Sequence, residues 1–291
     1  MLHVSIHMDD LIRKLSSYAK LSRIDHGVMA SLAVVAGAFS VENTLQSISN
    51  SPLLLAVTSV LFVEMSLFAS NDIFNIKEDK LNNPTRPIVA GELSTREAVA
   101  FTFITGLIAV LTSAMVNTAC LVVIIVALVV GNLYNSYFKR HAFFGNIIVS
   151  GLTSFTFPYG AISISGTLTE KSLLFFMIAF LANLGREIAK GIRDLEGDTR
   201  VGICTLPCEI GTNNAGKLAG IFMLMAVALS FYGANYVKTK PVYLVLILVT
   251  DAIFTYVAVK LIHNPSTQTA EKARKLTLPA MLNAIIAFTL P

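Results

Sequence analysis

Charge is scarce in this chain. Asp, Glu, Lys and Arg make up 14% of its 291 residues, where a soluble globular domain carries roughly a quarter. With 54% hydrophobic residues and a mean hydropathy of +0.69, that scarcity excludes an ordinary soluble fold and points to a polytopic membrane protein. The net charge of +4 is distributed among the loops, and nucleic acid is not an expected partner. Cysteine is also rare: Cys120, Cys204 and Cys208 are the three, and the CxxxC spacing of the last two excludes a metal-type CxxC pair. They read as structural or incidental thiols. A secretory signal is missing, because Met1 to Asp10 is polar and carries Asp9 and Asp10 where a basic start and apolar centre would stand. The first membrane helix is therefore expected to serve as the insertion signal. No low-complexity linker occurs and the length leaves no room for a separate soluble domain, so residues 1–291 read as one domain.

What is abundant is long apolar runs. Residues 9–23 come first, with a helical stripe of Leu11, Ile12, Leu15, Tyr18 and Leu21 and a basic face of Arg13, Lys14, Lys20 and Arg23; the N-terminal segment 1–23 is expected to lie in the interface. Runs able to span ~30 Å of hydrocarbon follow at 24–41, 52–71, 97–116, 118–138, 143–164, 172–189, 216–236, 241–262 and 275–290. The expected architecture is all-α, a bundle of nine transmembrane helices around a central apolar chamber, capped by cytoplasmic loops. Orientation follows from the basic residues. With the N-terminus cytoplasmic, every one of the 22 Lys and Arg except Lys171, Lys238 and Lys240 falls on the cytoplasmic side, a strong positive-inside bias. A multi-pass protein of the cell membrane is expected.

Two polar rows break the apolar pattern at the cytoplasmic ends. In the first, Asn71, Asn75 and Asp79 are spaced i, i+4, i+8 and stack along one helical face. In the second, Asn183, Glu187, Lys190, Asp194 and Asp198 fall within about 80° of one another at helical pitch. Oxygen donors in such rows suit Mg²⁺, which binds through a few carboxylates plus substrate phosphate oxygens. Nearby Arg86, Lys190, Arg193 and Lys139 would complete a phosphate clamp, and a diphosphate is the natural ligand between the rows. Solvated helix ends are the plainer reading. Against it, Glu187 and Lys190 lie close to the hydrocarbon edge, where an unpaired charge costs at least ~2 to 3 kcal/mol. Glu64 lies deeper on the Asn71 face, where either a structural hydrogen bond or a cavity role fits. Tyr134 and Lys139 serve equally as interfacial anchors or site residues. The segments Asn82 to Pro87 and Gly197 to Pro207 cannot continue membrane helices. They would form loops over the site, unless they are ordinary turns.

These residues resemble the UbiA superfamily of intramembrane prenyltransferases, whose motifs are NxxxDxxxD and DxxxD after even-numbered helices of a nine-helix bundle. Asn71 and Asp79 match the ends of the first motif, Asp194 and Asp198 the second. Asn83 to Ile88, Arg186 to Lys190, Glu196 to Asp198 and Thr205 to Pro207 look most like the archaeal digeranylgeranylglyceryl phosphate synthases. That resemblance implies Mg²⁺-dependent transfer from geranylgeranyl diphosphate to geranylgeranylglyceryl phosphate, forming the second ether bond of archaeal lipids. It implies catalytic roles for Asp79, Asp194, Asp198 and Lys190, and metal ligation by Asn71, Asp79, Asp194 and Asp198. Substrate contacts would come from Asn71, Asp72, Asn75, Arg86, Tyr134, Lys139, Arg193 and Arg23, with Arg23, Lys139 and Arg140 on the acceptor's anionic head. Phe155, Phe157, Phe175 and Phe176 would line the chamber, which opens laterally to membrane lipids, unless they serve ordinary packing. Two departures stand out: Asn75 where the motif has its middle Asp, and Gly191 where an acidic residue often follows the Lys. A UbiA-type enzyme with an aromatic, quinone-precursor acceptor is one alternative; a secondary transporter, which also uses intramembrane charge, is another. A phosphatidyl-alcohol transferase is disfavoured because its DGxxAR-type run is missing.

The orientation predicts that a cysteine placed at position 83 or 199 stays unlabelled by an impermeant thiol reagent added outside intact cells. Labelling there would reverse the topology.

Overall fold

The computed structural model describes residues 2–41, 51–200 and 202–290, and among them it contains helices and no strand. In chain order the helices are α1 (Leu2–Ser22), α2 (Ile24–Ala38), α3 (Ser51–Phe74), α4 (Ile76–Asn82), α5 (Thr95–Ala114), α6 (Thr118–Ser136), α7 (Ala142–Ser154), α8 (Thr156–Ser165), α9 (Glu170–Arg200), α10 (Leu206–Ile210), α11 (Thr212–Ser230), α12 (Lys240–His263) and α13 (Thr267–Phe288). Seven helical segments among the described residues are long and apolar enough to cross a membrane: α3, α5, α6, the α7–α8 pair, α9, α11 with its short extension, and α12. The remaining two expected spans differ. At 15 residues α2 is only about 22 Å long, and α13 carries the charged turn Glu271 to Lys275 after its first turn. By contrast, α9 is longer than expected. Its 31 residues reach about 46 Å, so the run ending at 189 continues as one helix through the whole second polar row.

Small residues set how closely the helices approach. Between α2 and α8, a Cβ added at Gly37 would stand 1.9 Å from the Phe157 carbonyl oxygen, and one at Gly160 would stand 2.0 Å from that of Val34. Such contact is open only to glycine, and it lets α2 sink into the bundle despite its length. The core beneath is dominated by α9, α11, α12 and α13, with Phe175 stacked on Phe288 at 4.0 Å and Phe157 edge-on to both. These aromatics close the end of the bundle remote from the polar rows.

On the opposite end α1 is lashed to the start of α5. Ser94 and Glu97 form a reciprocal capping box that begins α5 where the preceding loop ends. Lys14 pairs with Glu97 at 2.7 Å, and the Ser17 hydroxyl donates to Glu92 at 2.8 Å. The basic face of α1 is thus spent partly on carboxylates of this chain. Its side chains up to Leu11, and those of Asn82, Arg140 and Ala142, lie outside those described.

Gly160→Val should lower stability by at least ~3 kcal/mol, because the clash is with backbone and exceeds ordinary overpacking. Gly151→Ala, where no atom lies within 4 Å of the added carbon, should be neutral or stabilising. Thermal unfolding in detergent reads both.

Candidate active site

The first polar row turns a corner. α3 ends at Phe74 and α4 begins at Ile76, with Asn75 between them at φ −104°, ψ 19°. Backbone bonding survives the turn: the Asn75 N–H donates to the Asn71 carbonyl at 3.0 Å and the Asp79 N–H to that of Asn75 at 2.8 Å. The Asn75 side chain adds a donor to the same Asn71 carbonyl at 2.6 Å. Asn71 in turn donates to Asn135 Oδ1 of α6 at 2.9 Å, and the Asn135 amide donates to the Leu67 carbonyl at 3.0 Å. The straight ladder expected of Asn71, Asn75 and Asp79 is therefore corrected. The two amide groups each spend one N–H on bracing a bend, which leaves their oxygens toward a ligand, while Asp79 sits on a separate short helix.

That bend aims α4 at α9. Glu78 and Asp79 are buried, and the Asp79 carboxylate accepts from Asn83 at 3.2 Å. On α9, Asp194 accepts two hydrogen bonds from Arg193 at 2.6 and 2.7 Å, and Arg193 lies 3.7 Å from Glu271 of α13. Lys190 pairs with Glu187 at 3.1 Å. The two rows meet where Asp198 comes within electrostatic reach of Glu78, Lys139 and Lys190. Burial pulls the Lys139 amine below its ordinary pKa, and Lys190 pushes the same way; Glu78, Asp198 and Asp79 oppose them. Tyr134 faces this point too, within reach of Glu187, Asp198 and Arg23. Glu78, unmarked in the sequence reading, thus occupies the junction.

A third cluster holds Asp72. Its carboxylate, 1% exposed, takes a 2.8 Å bond from Arg23 and lies 3.8 Å from Arg86. Arg23 adopts left-handed backbone geometry between α1 and α2, at φ 44°, and its guanidinium lies 4.5 Å over the Phe68 ring. A polar groove bordered by Ser16, Lys20, Arg23, Asn83, Thr85 and Arg86 opens beside it. Arg23 and Lys139, expected to share one anionic head, fall in different clusters: Arg23 with Asp72 and Arg86, Lys139 with α4 and α9.

The loop after the second row packs back onto α9. The Ile203 N–H donates to the Asp198 carbonyl at 2.9 Å, and a Cβ at Gly191 would approach Pro207 at 3.2 Å. This accounts for glycine there: an acidic side chain would meet Pro207. Cys204 and Cys208 are joined in a disulfide across the turn, which corrects the expectation of free thiols for this pair. Cys120 is free and buried.

Under the rows lies an apolar cavity, bordered at its polar end by His26, Glu64, Phe68, Asn183 and Arg186 and deeper by Phe157, Ile178 and Phe288. Of the four phenylalanines expected in the chamber wall only Phe157 borders this cavity; Phe175 backs Phe288, and Phe155 and Phe176 pack on each other at 6.0 Å. Among the described residues no three or more His, Cys, Asp or Glu are grouped so that they could hold a metal ion by themselves. The donor set nonetheless fits a hard cation: Asp198 feels the like charges of Asp194 and Glu78, and a divalent ion bound through oxygen would relieve that repulsion.

Comparison with known proteins gives one consistent family. The profile of the UbiA prenyltransferase family matches residues 29–283. The digeranylgeranylglyceryl phosphate synthase of Archaeoglobus fulgidus is 32% identical over 288 residues, covering 97% of each chain. That of Methanosphaera stadtmanae is 29% identical over 279 residues, covering 95% of this chain and 99% of its own. A solved digeranylgeranylglyceryl phosphate synthase structure superposes with a TM-score of 0.74 at 29% identity, covering 95% of this chain and 97% of that one. A UbiA homologue from Archaeoglobus fulgidus, solved with GPP and Mg²⁺, shares the fold with a TM-score of 0.68 at 18% identity, covering 94% of this chain and 100% of its own.

The buried Asp72 charge predicts a strong coupling. Asp72→Asn leaves two guanidinium groups without their counter-charge and should cost about 3 kcal/mol. Adding Arg23→Gln to it should recover at least ~1 kcal/mol, read by chemical denaturation of the single and double variants in detergent; strictly additive losses would dissolve the pair.

Proposed function

The chain belongs to the UbiA prenyltransferase family and is a membrane prenyltransferase, and on that premise we propose that it transfers a geranylgeranyl group from geranylgeranyl diphosphate to geranylgeranylglyceryl phosphate. The product carries the second ether bond of archaeal membrane lipids. One observation carries the reading: α4, α9 and the α6–α7 connection bring Glu78, Asp79, Asp198, Lys190 and Lys139 together above an apolar cavity. A ligand with a polyanionic head and a long hydrocarbon tail satisfies both halves. Relatives with the synthase name at about this chain's full length support the lipid acceptor.

In this reading α2 and α13 complete nine membrane helices, the cavity is the chamber that takes the isoprenoid, and the rows face the cytoplasm. Mg²⁺ bound to Asp79, Asp194, Asp198 and the Asn71 oxygen, with Glu78 beside them, would supply positive charge to the leaving diphosphate. The chain's own cations do the rest of that electrostatic work. Lys190 and Lys139 lie at the junction of the rows, and Arg193 is held in place by Asp194 and Glu271. Such prepositioned charge lowers the barrier to allylic C–O cleavage because it need not reorganise as the bond breaks. Arg23 and Arg86, fixed by Asp72 at the polar groove, offer cations for the acceptor's phosphate. The apolar wall excludes water from the electron-poor carbon until the acceptor hydroxyl reaches it.

Asp194→Asn keeps size and removes charge. It should lower turnover at least about a hundredfold, ~2.7 kcal/mol of transition-state stabilisation. Asn75→Ala, which loses a bracing hydrogen bond, should cost less, and chelation by EDTA should abolish activity that Mg²⁺ restores. Turnover against Mg²⁺ concentration measures all three; normal rates for Asp194→Asn with a dead Asn75→Ala would invert the assignment.

A further inference from the structure

Ether formation releases a proton, and the two charged rows contain no obvious place for it. Their carboxylates already face cations: Asp194 holds Arg193, and Asp79 and Asp198 face Lys139. Lipid geometry narrows where the proton appears. In a prenyl diphosphate the reacting carbon lies between the anionic head and the tail, and in a glycerophosphate lipid the reacting hydroxyl lies between phosphate and tail. If the rows hold the heads and the cavity holds the tails, the reacting atoms meet at the polar end of the cavity. Five residues border that end: His26, Glu64, Phe68, Asn183 and Arg186.

Only two of the five can accept a proton. His26 lies 3.9 Å from Asp25 and packs against Phe68 at 5.3 Å. No hydrogen bond or ion pair of the Glu64 carboxyl occurs among the described residues, and the side chain, half-buried, borders the cavity. A carboxyl placed within a membrane span without a partner is costly, faces a cavity as here, and marks function by default. Its placement is deliberate in packing terms: Gly27 of α2 lets that helix approach α3 at Leu61 and Glu64, and Glu64 stands two helical turns before Asn71 on the same face. The deeper carboxylate, Asp251, is already engaged by the Ser230 hydroxyl at 2.7 Å, and the Asn183 amide donates to Ser154 at 3.3 Å. Arg23 supplies positive charge within electrostatic reach of Glu64.

We propose that Glu64 accepts the proton of the acceptor hydroxyl as the ether bond forms, an inference that rests on the prenyl-transfer reading above. The allylic C–O bond breaks and its electron pair leaves with the diphosphate. The hydroxyl oxygen bonds to the allylic carbon, its O–H bond breaks, and the proton passes to the Glu64 carboxylate, leaving ether, diphosphate and a neutral carboxyl. The acid then returns its proton to solvent when the site opens for product release. A positioned base of this kind contributes about 10²- to 10⁴-fold.

The test uses the full-length chain in lipid nanodiscs with geranylgeranyl diphosphate and geranylgeranylglyceryl phosphate. Glu64→Gln should lower kcat about a hundredfold while leaving KM for the diphosphate within about threefold. Glu64→Asp should recover part of the rate, and formate should rescue Glu64→Ala but not Glu64→Gln. A Glu64→Gln enzyme with wild-type kcat overturns the role. So does a loss of rate in which diphosphate binding falls equally and neither Asp nor formate restores activity, since that pattern belongs to a packing defect. A wild-type chain that makes no ether overturns the prenyl-transfer reading and the inference with it, whereas an active wild type matched by Glu64→Gln removes only the inference.

Discussion

The bend at Asn75 is the constraint on which the rest of the site depends. A straight α3 would carry Asp79 up its own axis, away from α9. Turning at Asn75 sends α4 across to α9 instead, and Glu78 and Asp79 meet the electrostatic field of Asp198, Lys139 and Lys190. The corner holds because its backbone groups remain bonded and because the Asn71 to Asn135 bond ties it to α6. Neutral asparagine at position 75 suits this work: its amide can donate to the Asn71 carbonyl, which a carboxylate could not do.

Around that corner the protein separates two environments that the proposed chemistry needs side by side. On one side, cations and carboxylates are fixed by one another: Arg193 between Asp194 and Glu271, Arg23 and Arg86 around Asp72. Fixed charges are worth more to a leaving diphosphate than mobile ones. On the other, an aromatic stack of Phe157, Phe175 and Phe288 closes the far end of the cavity. The amphipathic α1, tied to Glu92 and Glu97, covers the charged end beside the polar groove.

Much of this was legible because charge is so scarce. Against an apolar background, period and spacing alone isolate Asp79, Asp194 and Asp198, and helical runs appear near their observed places. The expected spans fit least well at α2, which is short, and at α13, which carries the charged turn Glu271 to Lys275. The corner was invisible for a physical reason: its i to i−4 hydrogen bonds persist through the bend, so spacing still reads as one helix, and the turn that brings Glu78 to Asp198 leaves no local mark. Likewise Arg23 and Asp72 are far apart in sequence, and no periodicity pairs them. Gly191 read as a departure until the return of Pro207 onto α9 explained it.

The central claim is that two rows distant in sequence build one cation site. Mn²⁺ titration by electron paramagnetic resonance, in the presence of a prenyl diphosphate, tests it most directly on Asp79→Asn, Asp198→Asn and the double variant. A shared site predicts that each single change weakens Mn²⁺ binding and that the double variant binds little more weakly than either, because carboxylates on one ion are strongly coupled. Two independent, additive losses would contradict the account and separate the rows into unrelated sites.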